Sequence, residues 1–148
     1  MPIDLQTTIT PIVGRDFPGD VIPEIEVAQN IIKVIVYDWR WYENDIGSPA
    51  QRFNQAIITA AKKGVAIKVI TNIPSVVEIL KKQGIEAKTL HYKGLIHAKL
   101  MIIDDRVVIL GSHNYTQNAF TINQELSVMI KDSDSNKRFI DFFDYLFS

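Results

Sequence analysis

Short apolar runs rich in β-branched residues recur along this chain, separated by amphipathic segments. Runs of this kind are typical of buried β-strands. The predicted strands cover residues 32–37, 65–71, 85–90, 96–103, 107–110 and 124–130. Asp104-Asp105-Arg106 separates two of them and has the composition of a hairpin turn.

The amphipathic segments predict helices between the strands. The clearest one begins at Ser48, because Ser48 is a good N-cap, Pro49 suits the first helical position and Gln51 can close a capping box. It ends at Gly64. Further helices are predicted at 24–31, at 74–84 and at 133–147, the last capped by Asp132 or Ser133. The alternation of strands and helices indicates an α/β fold with a mixed sheet, in a single domain over residues 1–148.

Composition agrees with a globular protein, since 47% of the 148 residues are apolar and 22% are charged. No apolar run reaches the length of a transmembrane helix, and residues 1–10 lack the features of a signal peptide. Cysteine is absent, which excludes disulfides and thiolate metal sites. We therefore expect a cytoplasmic protein without a membrane anchor.

The net charge of −1 conceals an uneven distribution. Residues 62–99 hold eight lysines and two glutamates, whereas the segments on both sides are acidic. Solvated helix faces explain most of these lysines. The alternative is a local cationic surface for a polyanion.

His97 and Lys99 lie at the start of a predicted strand, where alternate residues face the same side. The following residues extend them into the pattern His97-x-Lys99-x4-Asp104-x6-Gly111-Ser112-x-Asn114. This is the spacing of the HKD motif, and from about residue 21 to 147 the chain resembles a single domain of the phospholipase D superfamily. It is most similar to the small nucleases of that superfamily, which carry one motif per chain. The resemblance implies a phospholipase D-like domain whose mixed sheet has helices on both faces.

The resemblance also implies hydrolysis of a phosphodiester through a covalent phosphohistidine on His97, without a metal or other cofactor. The chemistry is reasonable, because neutral imidazole can attack phosphorus and divide one difficult step into two. A second, protonated imidazole can give the leaving alkoxide its proton. Lys99 and Asn114 would stabilise charge on the non-bridging oxygens, and Ser112 can add a hydroxyl donor.

Three other positions are candidates of lower specificity. Members of the superfamily often place an acidic residue one strand beyond the Gly-Ser turn, and Glu125 would there hold the far nitrogen of His97. Asp104 is expected to orient a neighbouring motif residue or the turn, since a carboxylate does not suit an anion site. Gly111 is expected to allow close backbone approach at the substrate. For Asp104 and Ser112, merely holding the turn is an equal alternative.

The mechanism needs two His residues, but the chain carries one motif, and neither His91 nor His113 belongs to a second copy. The superfamily resolves this with two motifs on a longer chain or with a homodimer. We therefore expect a C2 homodimer in which the two copies of His97 meet across the axis.

The aromatic segment YDWRWY at 37–42 has two interpretations. Core or dimer packing is the ordinary one; the other is a surface where bases stack on Trp39 and Trp41 while Arg40 meets phosphate. Lys93 could serve similarly. His113 occupies a variable motif position and is expected at the rim of the site.

Three functions remain open from the sequence. An endonuclease acting on DNA or RNA is favoured by the short single-motif chain, its basic middle and the lack of a membrane anchor. A phospholipase for anionic lipids is the first alternative, and it would need exposed apolar residues at the rim of its site. A non-catalytic nucleic-acid-binding or dimerisation module is the second, although the complete motif argues against it.

Overall fold

The computed structural model describes residues 7–148, whose strands form one seven-stranded sheet. The strands are β1 (Thr8–Val13), β2 (Ile31–Val36), β3 (Ala66–Thr71), β4 (Glu86–Lys88), β5 (Leu100–Ile103), β6 (Val107–Gly111) and β7 (Leu126–Lys131). Their spatial order is β1-β7-β6-β5-β2-β3-β4. The β2, β3 and β4 strands run parallel, and all other neighbours are antiparallel. The predicted mixed sheet is confirmed.

Five α-helices cover the two faces of the sheet unequally. They are α1 (Phe17–Glu26), α2 (Pro49–Lys62), α3 (Pro74–Lys82), α4 (Gln117–Thr121) and α5 (Asn136–Phe147). Buried residues of α1 to α4 share one apolar cluster with alternate strand positions such as Val34 and Met101. Phe143 and Leu146 of α5 form the second cluster with positions of opposite parity, such as Ile35 and Leu100. Because side chains alternate across a strand, α5 lies on the opposite face, so helices flank both faces as predicted.

The start of α2 is the best predicted local feature. The Ser48 side chain accepts a hydrogen bond from the backbone N–H of Gln51 at 3.3 Å, and Pro49 occupies the first turn. The second half of the predicted capping box is wrong. The Gln51 carboxamide oxygen accepts instead from the Tyr42 N–H at 2.8 Å and from Asn54 Nδ2 at 2.9 Å. The cap therefore also ties the loop after β2 to α2.

Some elements depart from the predicted positions. The first helix covers 17–26 rather than 24–31, because Pro18 is tolerated in a first turn and Phe17, Val21 and Ile25 form a buried stripe at helical spacing. The last helix begins at Asn136, not at 133, and no side chain caps it. The β1 strand and the short α4 were not predicted. Five of the six β1 residues are exposed, so β1 lacks the apolar signature of a buried strand.

The predicted strand at 96–103 is paired only from Leu100 onward. Residues 96–99 precede the ladder and therefore lie at the edge of the sheet. Their alternation persists, since Ile96 and Ala98 pack on the α5 cluster. His97 is therefore exposed, three residues before the start of β5.

Candidate active site

The candidate site lies at one end of the sheet, where two strands finish and two begin. The β5 strand is antiparallel to β2 and β6, and β7 is antiparallel to β6. Residues that follow β2 and β6 therefore meet residues that precede β5 and β7. This topology brings together segments that are far apart in sequence, and they carry His97, Lys99, Ser112 and Asn114.

His97 and Lys99 come into direct contact, as their shared strand parity predicts. Lys99 Nζ lies 3.2 Å from each ring nitrogen of His97. The ring of Tyr37, at the end of β2, packs against the His97 ring with 4.9 Å between centroids. Lys99 Nζ also lies 5.8 Å from the centre of the Tyr37 ring. The Tyr37 ring therefore packs against the His97 ring and lies near the Lys99 ammonium.

Lys99 differs electrostatically from an ordinary surface lysine. Burial lowers the pKa of its ammonium below the usual 10.5, while the negative charge of Glu125 acts in the opposite direction. Glu125, which precedes β7, therefore interacts electrostatically with Lys99, which precedes β5. A half-buried ammonium interacts with a phosphate oxygen more strongly than a fully hydrated one.

Asn114 reaches the site through a loop fixed by backbone bonds. Its Oδ1 accepts from the N–H of Asp38 at 3.1 Å, so the acceptor end of the amide is occupied. The N–H of Tyr115 donates to the Asp38 carbonyl at 3.0 Å. No partner within residues 7–148 occupies the Nδ2 donor. That donor is available to a substrate oxygen.

Ser112 and Glu125 form a second pair at the same end of the sheet. Ser112 Oγ donates to Glu125 Oε1 at 2.6 Å and accepts from the Leu126 N–H at 3.0 Å. Asn123 Nδ2 donates to Glu125 Oε2 at 3.1 Å. The structure therefore holds Glu125 through Ser112 and Asn123. The expected contact of Glu125 with the far nitrogen of His97 is not formed within one chain.

Gly111 lies in close contact with the neighbouring strand. It pairs with Ser127 on β7, and a Cβ at position 111 would overlap Ser127 and the Leu126 carbonyl oxygen. This close approach to β7 requires glycine, and the expected approach to a substrate stays a prediction. Gly111 keeps Ser112 against β7.

Asp104 lies outside this constellation. It follows β5, at the opposite end of that strand from Lys99. Its carboxylate accepts the N–H groups of Gln29, Asn30 and Ile31 at 2.7–3.0 Å. Burial opposes its ionisation, but these bonds and the charge of Arg106 outweigh burial and lower the pKa of Asp104 below the usual 3.8. Of the two roles predicted for Asp104, holding the turn is the one that these contacts fit.

The expectation that His113 lies at the rim is wrong, since its side chain is buried. It stacks on Phe17 with 4.5 Å between centroids. The carbonyl of Gly14 can only accept, so Nε2–H donates to it at 2.8 Å and Nδ1 accepts from Ser127 Oγ at 2.7 Å. Burial lowers the pKa of His113 below the usual 6.5, although the Gly14 bond and the charge of Glu125 act in the opposite direction. His113 is therefore a core residue.

The aromatic segment after β2 is divided between core and surface. Trp39 is fully buried and donates to Asn54 Oδ1 at 2.6 Å, so it cannot stack a base and the core interpretation is correct. Trp41 is partly buried against the same core. Arg40 is exposed, with its Nε on Asp38 Oδ1 at 2.7 Å. Lys93 is exposed in the loop before His97.

Two site residues were not selected from the sequence, namely Tyr37 as a support for His97 and Asp38 as the anchor of Asn114. The available signal was position, because both directly follow a buried strand at its carboxyl end, where functional side chains collect in α/β sheets. Within residues 7–148, no group of three or more His, Asp or Glu side chains gathers as a metal site would require.

A mixed sheet that gathers an exposed His, a Lys, an Asn and a Ser-Glu pair at one end defines a phospholipase D-like protein. Residues 21–147 match the family described as "Cardiolipin synthase, PLD-like domain". The chain therefore belongs to the phospholipase D-like family, as its motif suggested.

Relatives and solved structures agree with this assignment. Minor cardiolipin synthase ClsB of Bacillus subtilis is 29% identical over 94 residues, which is 57% of this chain and 24% of that protein. The chain spans less than half the length of the curated relatives that it matches first. NucT from Helicobacter pylori superimposes with a TM-score of 0.80 at 23% identity, covering 94% of both chains. Nuc from Salmonella typhimurium, a phospholipase D family member, superimposes with a TM-score of 0.77 at 21% identity, covering 93% of this chain and 92% of Nuc.

None of the helices within residues 7–148 is long and apolar enough to cross a bilayer.

Proposed function

We propose that this protein is a metal-independent phosphodiesterase that cleaves nucleic acid through a covalent phosphohistidine on His97. One observation carries the proposal. An exposed imidazole lies 3.2 Å from a lysine ammonium, at the sheet end that also presents the Asn114 amide donor. A nucleophile beside fixed donors for developing negative charge is the arrangement that phosphoryl transfer requires.

The reaction has two displacement steps. A ring nitrogen of His97 attacks phosphorus while the bond to the leaving oxygen breaks, and His97 of the partner subunit donates the proton that this oxygen needs. Water then attacks the phosphohistidine and gives a proton to His97 of the partner subunit as the phosphorus–nitrogen bond breaks. Lys99 and Asn114 Nδ2 bind the non-bridging oxygens in both steps.

A homodimer is part of this proposal, because each chain supplies a single motif His. The surface beside the site supports it. Val13, Ile122 and Leu126 are 57–66% exposed, and the first and last of them are paired across β1 and β7 next to Glu125. Exposed apolar side chains at the edge of a site are typical of an interface between subunits.

Nucleic acid is the favoured substrate for two reasons. The motif resembles that of small single-motif nucleases, and residues 62–99, which include the exposed Lys93, carry a net charge of +6. A polyanion gains affinity from such charges by releasing counterions.

Cleavage of labelled single- and double-stranded DNA and RNA in excess EDTA tests the proposal. The wild-type protein is expected to cleave at least one of these substrates, and His97→Ala to be at least about a thousandfold slower. His91→Ala is the matched control, since His91 is also exposed but lies outside the site. Loss of cleavage in EDTA, or full activity of His97→Ala, would contradict the proposal.

A phospholipase is the second candidate, and one observation favours it. A groove of about 450 Å³ begins at His97 and is lined by apolar side chains, among them Tyr92, Leu95 and Phe142. Leu95 is 73% exposed. Such a groove could accept part of a lipid, and a cardiolipin synthase is among the relatives. Hydrolysis of cardiolipin vesicles by the wild type, reduced in Leu95→Asn, with no cleavage of any nucleic acid, would select this function.

A further inference from the structure

A second depression adjoins the site on the other side of the sheet from the apolar groove. It is a polar cleft of about 340 Å³ that shares Asn114 with the candidate site. The apolar groove borders α5, whereas the polar cleft borders α4, and these helices cover opposite faces. The polar side chains around the cleft include Arg40, Asn114, Thr116, Gln117, Asn118 and Asn123.

We propose that this cleft binds the nucleotide adjoining the scissile phosphate of a single-stranded nucleic acid. Arg40 contacts the next phosphate, and Asn118 contacts the edge of the unpaired base. This inference rests on the proposed nuclease function and names the part of the chain that holds the strand beside the reacting bond. It commits the site to a single strand, because Asn118 would contact the Watson–Crick edge of the base, which is already paired in a duplex.

The chemistry of the cleft fits a nucleotide. Asp38 holds Arg40 through Nε at 2.7 Å, which leaves the terminal nitrogens of the guanidinium free to form a fork on phosphate. The Arg40 side chain is 56% exposed and therefore accessible. The carboxamide of Asn118 is also exposed and forms no hydrogen bond within residues 7–148. An amide offers both donors and an acceptor, which is what the edge of a base needs.

The walls of the cleft are fixed before any ligand arrives. The Arg40 N–H donates to the Tyr115 carbonyl at 3.1 Å, which joins one wall to the loop that carries Asn114. Gln117 Oε1 accepts from the Ala50 N–H at 2.9 Å, and the Gln117 N–H donates to the Tyr42 hydroxyl at 2.8 Å. These bonds attach the start of α4 to α2 and to the loop after β2. A preorganised cleft loses less entropy when it binds.

A nucleic-acid strand suits the cleft better than a phospholipid. The cleft presents an arginine and amides directly beside the phosphate site, so the chain that continues from the phosphate remains polar there. A lipid would instead place its apolar part in the groove beside Leu95, on the opposite face. The polar cleft and the apolar groove would therefore bind different substrates, so substitutions in the cleft and in the groove can be compared.

Two substrates of different size test the proposal. A single-stranded oligonucleotide fills the cleft, whereas bis(4-nitrophenyl) phosphate carries only the scissile group and does not. Arg40→Gln and Asn118→Ala are each expected to raise KM for the oligonucleotide about five- to twentyfold. Both are expected to leave kcat/KM for the small diester within about twofold of wild type.

Matched controls lie outside the cleft. Arg138→Gln removes an exposed arginine from α5, and Gln55→Ala removes an exposed amide from α2; both are expected to behave as wild type. Salt dependence separates the two cleft residues. Arg40→Gln is expected to lower the slope of log KM against log salt concentration by about 0.7, and Asn118→Ala to leave it unchanged.

The outcomes separate this inference from the proposed function. If the wild type cleaves the oligonucleotide and neither cleft variant changes KM, the cleft inference is wrong and the nuclease stands. Equal losses on both substrates would also overturn it, since the cleft residues would then act on the reaction itself. If the wild type cleaves the small diester but no nucleic acid, the proposed function fails, and the inference fails with it. Losses confined to cardiolipin vesicles would reassign the cleft to a lipid headgroup.

Discussion

Tyr37 shows how a residue outside the motif can determine the behaviour of one inside it. Its ring contacts the imidazole of His97 and lies near the ammonium of Lys99. Within residues 7–148, Lys99 is the one residue whose side chain lies within hydrogen-bond distance of the His97 ring. We infer that packing against Tyr37 is the main restraint on the orientation of the His97 ring, the proposed nucleophile.

Substitution of Tyr37 tests this restraint. Tyr37→Phe keeps the ring and is expected to retain kcat within about twofold, whereas Tyr37→Ala is expected to lower kcat about tenfold. The measurement is steady-state cleavage of the small diester, whose binding does not depend on neighbouring nucleotides. Equal activity of both variants would show that the ring does not orient His97.

Asp104 illustrates the opposite case, a motif residue that lies away from the site. Asp104→Asn weakens its acceptance of three backbone N–H groups. We expect a loss of about 1–2 kcal/mol in the free energy of unfolding and a kcat close to that of wild type. Urea denaturation and diester turnover check the two parts. A large loss of kcat in a stably folded variant would place Asp104 in the mechanism after all.

His113 makes stability depend on pH. Its pKa in the folded protein lies below the usual 6.5, so the unfolded chain binds a proton more readily. Its contribution to stability is complete above pH 6.5 and decreases as the pH falls from there through the folded pKa. The urea midpoint is expected to fall between pH 7.5 and pH 5.5, and His113→Gln is expected to reduce that fall. An unchanged pH dependence in the variant would contradict the buried, neutral assignment.

At the scale of elements, the buried strands were predicted best, whereas an exposed strand and a very short helix were missed. The β2 and β3 strands are apolar at most positions and were predicted within one residue at each end. The exposed edge strand β1 contains Pro11 and has no such pattern. The α4 helix has only five residues, too few to show a period.

The same distinction applies to the candidate site. The contact between His97 and Lys99 follows from strand parity and was predictable. The positions of Asp38 and Asp104 depend on which strands are neighbours, and a sequence does not state that order. Gly111 belongs to the same group, since only the pairing of β6 with β7 shows that Ser127 leaves no room for a Cβ.

Gly111→Ala tests that pairing. The added methyl group would overlap β7, so we expect a loss of about 3 kcal/mol in the free energy of unfolding and a displaced Ser112. Gly47→Ala is the matched control, because nothing lies within 4 Å of a Cβ at position 47. Equal thermal stability of the two variants would contradict the described register.

At the scale of the whole molecule, the proposed active unit is a pair of chains. A mixed dimer of wild type and His97→Ala would hold one His97 imidazole and lack the second one that the proposed reaction needs. When the two proteins are refolded together, activity is therefore expected to follow the square of the wild-type fraction. A linear dependence, measured across mixing ratios at constant total protein, would indicate that each chain works alone.

The central claim is that the phosphodiester is cleaved in two displacements through His97, and the stereochemistry at phosphorus tests it most directly. Each in-line displacement inverts the configuration, so two of them restore it. A single-stranded oligonucleotide with one chiral phosphorothioate would be cleaved in ¹⁸O-labelled water, and the configuration of the product determined. We predict overall retention. Overall inversion would show that water attacks directly, and would contradict a covalent phosphohistidine.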